Sequence, residues 1–432
     1  MLASPQRFWL GYDDGRTIWQ EHTKEKPMAE DLTSFRTQVQ AWLSEHFPSS
    51  LKSNAAGIME AAFSENGLSA DAEQWRQSLA DAGYGAPTWP KEYGGAGLSD
   101  SQAAVLSGEM ANVGAFNPIP GLAGMGVTMV GPTVLEYGSE DQKLRHLPGI
   151  ASGTVRWCLG LSEPNAGSDL ASLTTKAQDD GDTWIVNGQK IWTSGADRSQ
   201  WCGALVRTDA SAKKRDGISF LMLKMDQPGV RTRPIKLIGG ASPFCETFFD
   251  DARAEKDDLL GPLNNGWSVV KRLLQHERQS QTGAGAPSGS GSAALSIQDL
   301  AKKYVGTTES GELADADLRS RLTSHLMATK AHAMTGSRIR EEARGKVEVS
   351  AAASILKNSA TIVAQVRSEL TIEMMGNQGL GWEGDDFTPE ELATVRGWLS
   401  GKAISIYGGS FEVQKNIISK NILGLPETTQ KG

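Results

Sequence analysis

The sequence predicts an α+β chain in which a β-rich middle domain separates two helical lobes. Three observations carry this. Apolar residues recur at helical spacing through the first 150 residues or so. Near residue 155 the texture switches to alternation with β-branched and aromatic runs cut by turn residues. From residue 265 the helical period returns. The boundaries implied are an extension at 1–28, an N-terminal helical domain at 29–154, a middle β domain at 155–260 and a C-terminal helical domain at 261–432.

Each element has its own signal. Within 29–47, Leu32, Phe35, Val39, Trp42, Leu43 and Phe47 form one apolar stripe on an otherwise polar helix. A second helix spans 71–82 and stops at Gly83. The loop 86–97 is rich in Pro and Gly and carries Trp89 and Tyr93; it either lines a site or plugs the end of the helical lobe. Helices at 101–111 and 121–137 and a shorter one from 139 to 146 complete the lobe. In the middle domain, 184–186, 201–206, 218–223 and 246–249 read as strands, with turns at 179–182, Asn187-Gly188 and 227–229. The C-terminal domain reads as helices at 266–279, 318–342, 351–375 and 412–423, with a small-residue break at 284–292.

Composition excludes several function classes. With 432 residues, 39% hydrophobic and 22% charged, the chain can bury a large core. A net charge of −8 disfavours nucleic acid, whose phosphates need a basic face. No apolar run reaches the length of a membrane span. Three cysteines without CxxC spacing point to neither a disulfide frame nor a metal site, and fit a cytoplasmic protein. Residues 1–27 lack the basic-then-apolar order of a signal peptide and receive no function.

Two stretches concentrate the chemistry: WCLGLSEPNAGSD at 157–169 and WIVNGQKIWTSG at 184–195. The first ends in a turn offering backbone N–H groups and a hydroxyl. The second sets Trp192 beside Thr193 and Ser194. Taken singly, each is an ordinary turn or strand end. Together they supply an apolar wall and a polar edge, which is what a planar flavin ring needs. With WPKEYGGAGL (89–98), YGSEDQKLRHLP (137–148), FCETFFDD (244–251) and YGGSFEVQ (407–414) in this order, the chain resembles the acyl-CoA dehydrogenase family over residues 30–425.

That resemblance implies a C-terminal four-helix bundle, FAD as cofactor, an acyl-CoA substrate and electron-transfer flavoprotein as acceptor. It implies α,β-dehydrogenation, in which a carboxylate takes the α-proton and the flavin the β-hydride. Many members place that carboxylate directly after the Tyr of the last motif; here Gly408 stands there. A second placement in the family is a Glu-Arg pair on the helix after the middle domain, matched here by Glu277-Arg278. The spacing speaks for it independently. Val270, Leu273, Leu274 and Glu277 stand at i, i+3, i+4 and i+7, so the carboxylate falls on the apolar stripe. The competing reading is a structural ion pair. His276 and Arg278 are expected along the substrate, and Gly408 and Gly409 at the thioester through backbone N–H groups.

Flavin contacts carried over by position are Leu159, Leu161, Ser162, Gly167, Ser168, Trp192, Thr193, Ser194, Ser410 and Glu412, with Ser168 also near the CoA. Glu373 and Asn377 match a loop that in the family touches a flavin bound mainly by a second subunit. The chain lacks the family's R-x-x-F-G motif between 295 and 325. A homodimer or homotetramer is expected, with a two-gene heterotetramer as the alternative. Displacement of the usual base leaves two other readings: a desulfinase, oxidase or monooxygenase on the same scaffold, or a non-catalytic partner subunit.

Overall fold

The computed structural model describes residues 7–13, 16–21, 32–64, 67–282, 295–343 and 353–426. The extension, to which the sequence assigns no element, holds an antiparallel hairpin of β1 (Arg7–Asp13) and β2 (Arg16–Glu21).

Among the described residues seven α-helices follow: α1 (Leu32–His46), α2 (Ala55–Ala62), α3 (Ala70–Asp81), α4 (Asp100–Val113), α5 (Ile119–Leu122), α6 (Gly131–Tyr137) and α7 (Glu140–Ala151). Ser99 and Ser139 start α4 and α7 with reciprocal capping boxes that include Gln102 and Gln142. Val39, Leu43, Trp75, Leu79 and Leu106 form the core between α1, α3 and α4. The helix expected over 121–137 is broken. A five-residue wide turn, Gly126–Val130, separates α5 from α6. Pro132 at the start of α6 has no N–H to extend the ladder backward, and the Met125 N–H is diverted to the Trp157 carbonyl at 2.9 Å. The loop 86–97 turns out to be a plug: Ala86, Trp89 and Tyr93 are buried in the central core.

The middle domain is one eight-stranded sheet. Its strands are β3 (Trp157–Gly160), β4 (Lys176–Asp179), β5 (Thr183–Ser194), β6 (Trp201–Arg207), β7 (Ile218–Lys224), β8 (Val230–Ile235), β9 (Phe244–Glu255) and β10 (Leu259–Leu260). The order is β10-β7-β6-β4-β5-β9-β8, with β3 parallel to β6. Asn187-Gly188, expected as a turn, is instead a bulge inside the long β5–β9 pair. The Asn187 side chain bonds Asp251 across the strands, so the dipeptide kinks the ladder without reversing it. Cys158, Cys202 and Cys245 are fully buried on this sheet as free thiols.

The C-terminal domain comprises α8 (Gly266–Thr282), α9 (Ile297–Val305), α10 (Ala316–Ala343), α11 (Ala353–Met375), α12 (Pro389–Gly401) and α13 (Phe411–Ile417). The expected break at 284–292 lies outside the described residues. Helices α9 and α12 escape a search for long apolar stripes. The second nonetheless announces itself by a Thr388/Glu391 capping box with Pro389 at its first position. The final helix is shorter than expected, since Ile418–Ile422 forms a wide turn.

Helix α8 lies against β7 because Gly266 lets the backbones meet. A Cβ there would stand 2.4 Å from the Ser219 carbonyl carbon. Gly266→Ala is expected to lower stability by about 1–3 kcal/mol, read as a drop of several degrees in Tm.

Candidate functional site

Five segments supply the expected residues: β3 with its following turn, the end of β5, α8, the end of α11 with its following turn, and the loop between α12 and α13 with the first turn of α13. The first two are welded by a buried ion pair. Lys190 on β5 is fully buried, and its Nζ lies 2.8 Å from Glu163 Oε1, 3.2 Å from the Leu161 carbonyl. Glu163 also accepts from the Thr174 N–H and hydroxyl and from the Thr175 N–H, at 2.7, 2.9 and 2.8 Å. Burial alone would raise its pKa; the Lys190 charge and these hydrogen bonds outweigh that and hold it at about 2. The Ile191 N–H adds a 2.9 Å bond to the Ser162 carbonyl. Neither Glu163 nor Lys190 is conspicuous in sequence, because their pairing is set by the fold.

Around this weld stand the residues expected to meet the flavin. Leu159 and Leu161 pack part-buried on the central core. Ser162 and Ser194 are half-buried, while Gly167 and Ser168 are exposed in the turn. Trp192 sits at a register shift near the end of β5 with φ of 61°, which swings its indole out to 52% exposure. Thr193 is buried, and its Oγ1 has no hydrogen-bond partner among the described residues. The Ser162, Ser168 and Ser194 hydroxyls likewise make no hydrogen bond to another described residue. An outward indole beside uncommitted hydroxyls fits a flat, partly polar cofactor such as a flavin.

On α8, Val270 and Leu273 are buried and Leu274 and Glu277 half-buried, so the carboxylate does lie at the margin of the apolar face. His276 points elsewhere. Its Nε2 lies 3.3 Å from Glu136 on α6, beside a bidentate Arg272–Glu136 pair with both contacts at 2.6 Å. Arg278 belongs to α8, but its side chain is outside the described residues.

The loop after α12 carries Tyr407, Gly408 and Gly409, with φ of 64° and 90° at the two glycines. Ser410 caps α13 by accepting the Val413 N–H, and Glu412 is exposed in its first turn. Lys357 on α11 reaches this loop: its Nζ donates to the Ile404 carbonyl at 2.6 Å and lies 4.8 Å from the Tyr407 ring centroid. Burial lowers the Lys357 pKa, while the charge of Glu277 acts in the opposite sense. The charge of Glu277 on α8 thus acts on a lysine of α11 that itself reaches the loop of Gly408. Sequence reading had pointed to Glu277 and Gly408 and missed the lysine.

Glu373 and Asn377 occupy exposed positions at the end of α11 and in the turn beyond it. The Glu373 carboxylate is engaged by both Arg321 nitrogens, one at 2.9 Å.

Comparison with known proteins agrees in every domain. Family models for the acyl-CoA dehydrogenase N-terminal, middle and C-terminal domains match residues 29–154, 158–252 and 264–423. Acyl-CoA dehydrogenase IpdE1 of Mycobacterium tuberculosis is 35% identical over 407 residues, 92% of this chain and 98% of the relative. The solved Tcur3481-Tcur3483 steroid ACAD is 28% identical with a TM-score of 0.71, over 92% of this chain and 98% of that one. The ChsE4-ChsE5 complex from Mycobacterium tuberculosis follows at 27% identity and a TM-score of 0.69, over 93% and 99%.

Proposed function

This chain belongs to the acyl-CoA dehydrogenase family, and on that premise we propose that it dehydrogenates a bulky, ring-bearing acyl-CoA with Glu277 as the base. The enzyme class itself, an oxidoreductase acting as an acyl-CoA dehydrogenase, comes with the family and its named relatives. The observation that carries the finer reading is the position of Glu277: a half-buried carboxylate at the margin of an apolar helix face, whose charge acts on the Lys357 ammonium, which itself reaches the Gly408 loop. Members of the family are flavoproteins, generally with FAD, and the bound flavin supplies the acceptor for the hydride.

What this chain's own side chains do follows from their chemistry. Glu277 takes the α-proton. The Gly408 N–H is a donor for the thioester oxygen, where negative charge grows as the proton leaves. Ser162, Thr193 and Ser194 offer hydroxyls to the cofactor's polar edge, and Trp192 an apolar face. A glycine at 408 adds no side chain of its own at the acyl end, which supports a bulky acyl group, as does likeness to a steroid ACAD. We assign the electrons to an electron-transfer flavoprotein. For the assembly we propose an oligomer, in which likeness to the ChsE4-ChsE5 complex favours a second, different chain.

The deciding experiment follows the visible spectrum of the purified chain during anaerobic addition of straight, branched and steroid-type acyl-CoAs. Bleaching of a bound flavin by the ring-bearing class alone is the expected result. A yellow protein that no acyl-CoA reduces overturns the dehydrogenase reading. A chain that is colourless alone but yellow when co-expressed with a second chain makes the assembly a mixed one.

The base is not expected to be movable to the commoner position. Gly408 has φ of 64°, a left-handed conformation that glycine adopts freely and a side chain resists. Gly408→Glu in a Glu277→Gln background should therefore fail to restore flavin reduction, and stopped-flow at saturating acyl-CoA checks it.

A further inference from the structure

We propose that Lys357 is a positioning residue: from α11 it holds the loop that presents the Gly408 N–H, and it sets its charge against the Glu277 carboxylate. Base and oxyanion donor thereby keep a fixed relation although they lie more than a hundred residues apart. The inference rests on reading Glu277 as the base.

The geometry is a ladder of polar contacts along one face of α11. Lys357, Thr361, Gln365 and Glu369 follow one another at intervals of four residues, so they stand above one another on the helix. Each grips the segment 402–404. Lys357 Nζ donates to the Ile404 carbonyl at 2.6 Å, and Thr361 Oγ1, which donates to the Lys357 carbonyl at 2.9 Å, lies 3.4 Å from the same Ile404 oxygen. Gln365 Nε2 donates to the Lys402 carbonyl at 3.3 Å, and Glu369 pairs with the Lys402 ammonium. Three rungs serve only to dock backbone and a surface lysine. The fourth does something more, because a lysine is a costly way to satisfy one carbonyl: a half-buried ammonium loses hydration that the neutral donors do not. Its charge has a target in Glu277, and its stem closes the space beside Gly408, with Cε as well as Nζ 3.8 Å from a Cβ built there.

Several other ionisable groups belong to the elements around Glu277. Tyr407 lies under the lysine. On α8 itself, Arg272 and His276 are turned to Glu136; the side chain of the adjoining Arg278 is not described. Of the elements packed on α8, α6 brings Glu136 and Tyr137, the Gly126–Val130 turn brings no ionisable residue, and β7 brings Lys224 at its end.

The test measures flavin reduction by an accepted acyl-CoA against pH, in the protein as purified with any partner chain. A positive charge beside a carboxylate favours its ionised form, so losing it should move the acid limb of the profile to higher pH. Lys357→Met is expected to shift that limb up by roughly half to one unit and slow reduction about 10- to 100-fold. Lys357→Gln keeps a donor for Ile404 without the charge, and should shift the limb with a smaller loss of Tm; it carries the test if the Met variant does not fold. Lys357→Arg should restore the limb. Gln365→Leu, a rung away from the site, should lower Tm and leave the limb in place. An unshifted limb in the Gln variant, or the same shift in Gln365→Leu, overturns the proposal. Should Glu277→Gln retain full activity, the reading of the base fails instead, whatever Lys357 does.

Discussion

Glu277→Gln is expected to slow reduction of the flavin by an acyl-CoA about 10²- to 10⁴-fold while leaving flavin content and Tm nearly unchanged. The amide keeps the shape of the carboxylate and one acceptor oxygen but has no basicity. Its neighbours argue for a small structural cost: Glu277 is half-buried at the margin of the apolar face, and Lys357 retains its bond to the Ile404 carbonyl. A structural ion pair would give the reverse result, a loss of Tm with rates little affected. Rapid-mixing kinetics and a thermal melt on the same preparation therefore decide between the two. Substrate affinity should change little, because the lost interaction belongs to proton transfer and not to binding.

The second large effect falls on the fold. Lys190→Met should destabilise the protein by about 3–5 kcal/mol, because it strands the Glu163 carboxylate in a buried site without its cation. Flavin content should fall with it, since that lysine ties the end of β5 to Leu161 and Glu163, on either side of Ser162. The pair also predicts a direction for acid sensitivity. The Glu163 pKa is depressed in the folded chain to about 2, below its ordinary value near 4.5. Its contribution is thus present in full above the ordinary carboxylate range and is lost as pH falls toward 2. Linkage puts the loss at about 3 kcal/mol for a shift of this size. Denaturant midpoints between pH 6 and pH 3 should fall more steeply in the parent than in Lys190→Met, where that term is missing.

The three-part architecture was legible because each part has its own period. Apolar stripes marked α1 and α8, the return of the helical period marked α10 and α11, and apolar runs marked β6 and β7. What failed to show were elements whose formation depends on partners. The strand β4 is short and mostly polar, and makes sense only beside β5. The dipeptide Asn187-Gly188 carries a hairpin signal, yet the two long strands continue through it because β9 pairs on both sides of the bulge. At the candidate site, Glu277 could be found from its place on a helix stripe. Lys357 could not, because a lysine on a helix usually points to water, and only the fold brings the 402–409 loop over it. The Glu163–Lys190 pair escaped for the same reason: a Glu in a turn and a Lys in a strand look solvated until the two are seen to meet.

The sealed cysteines give this chain a built-in clock. All three thiols belong to the middle sheet and all are shielded from water, and burial raises the pKa of both Cys158 and Cys245. A thiol reagent therefore finds no access to any of the three while that sheet is closed, and at Cys158 and Cys245 little thiolate. Labelling should proceed at the rate at which the sheet opens, and fraying of the outer helices should leave it unchanged. Mass spectrometry of the trapped adducts would then time the opening of the middle domain alone, without any engineered probe.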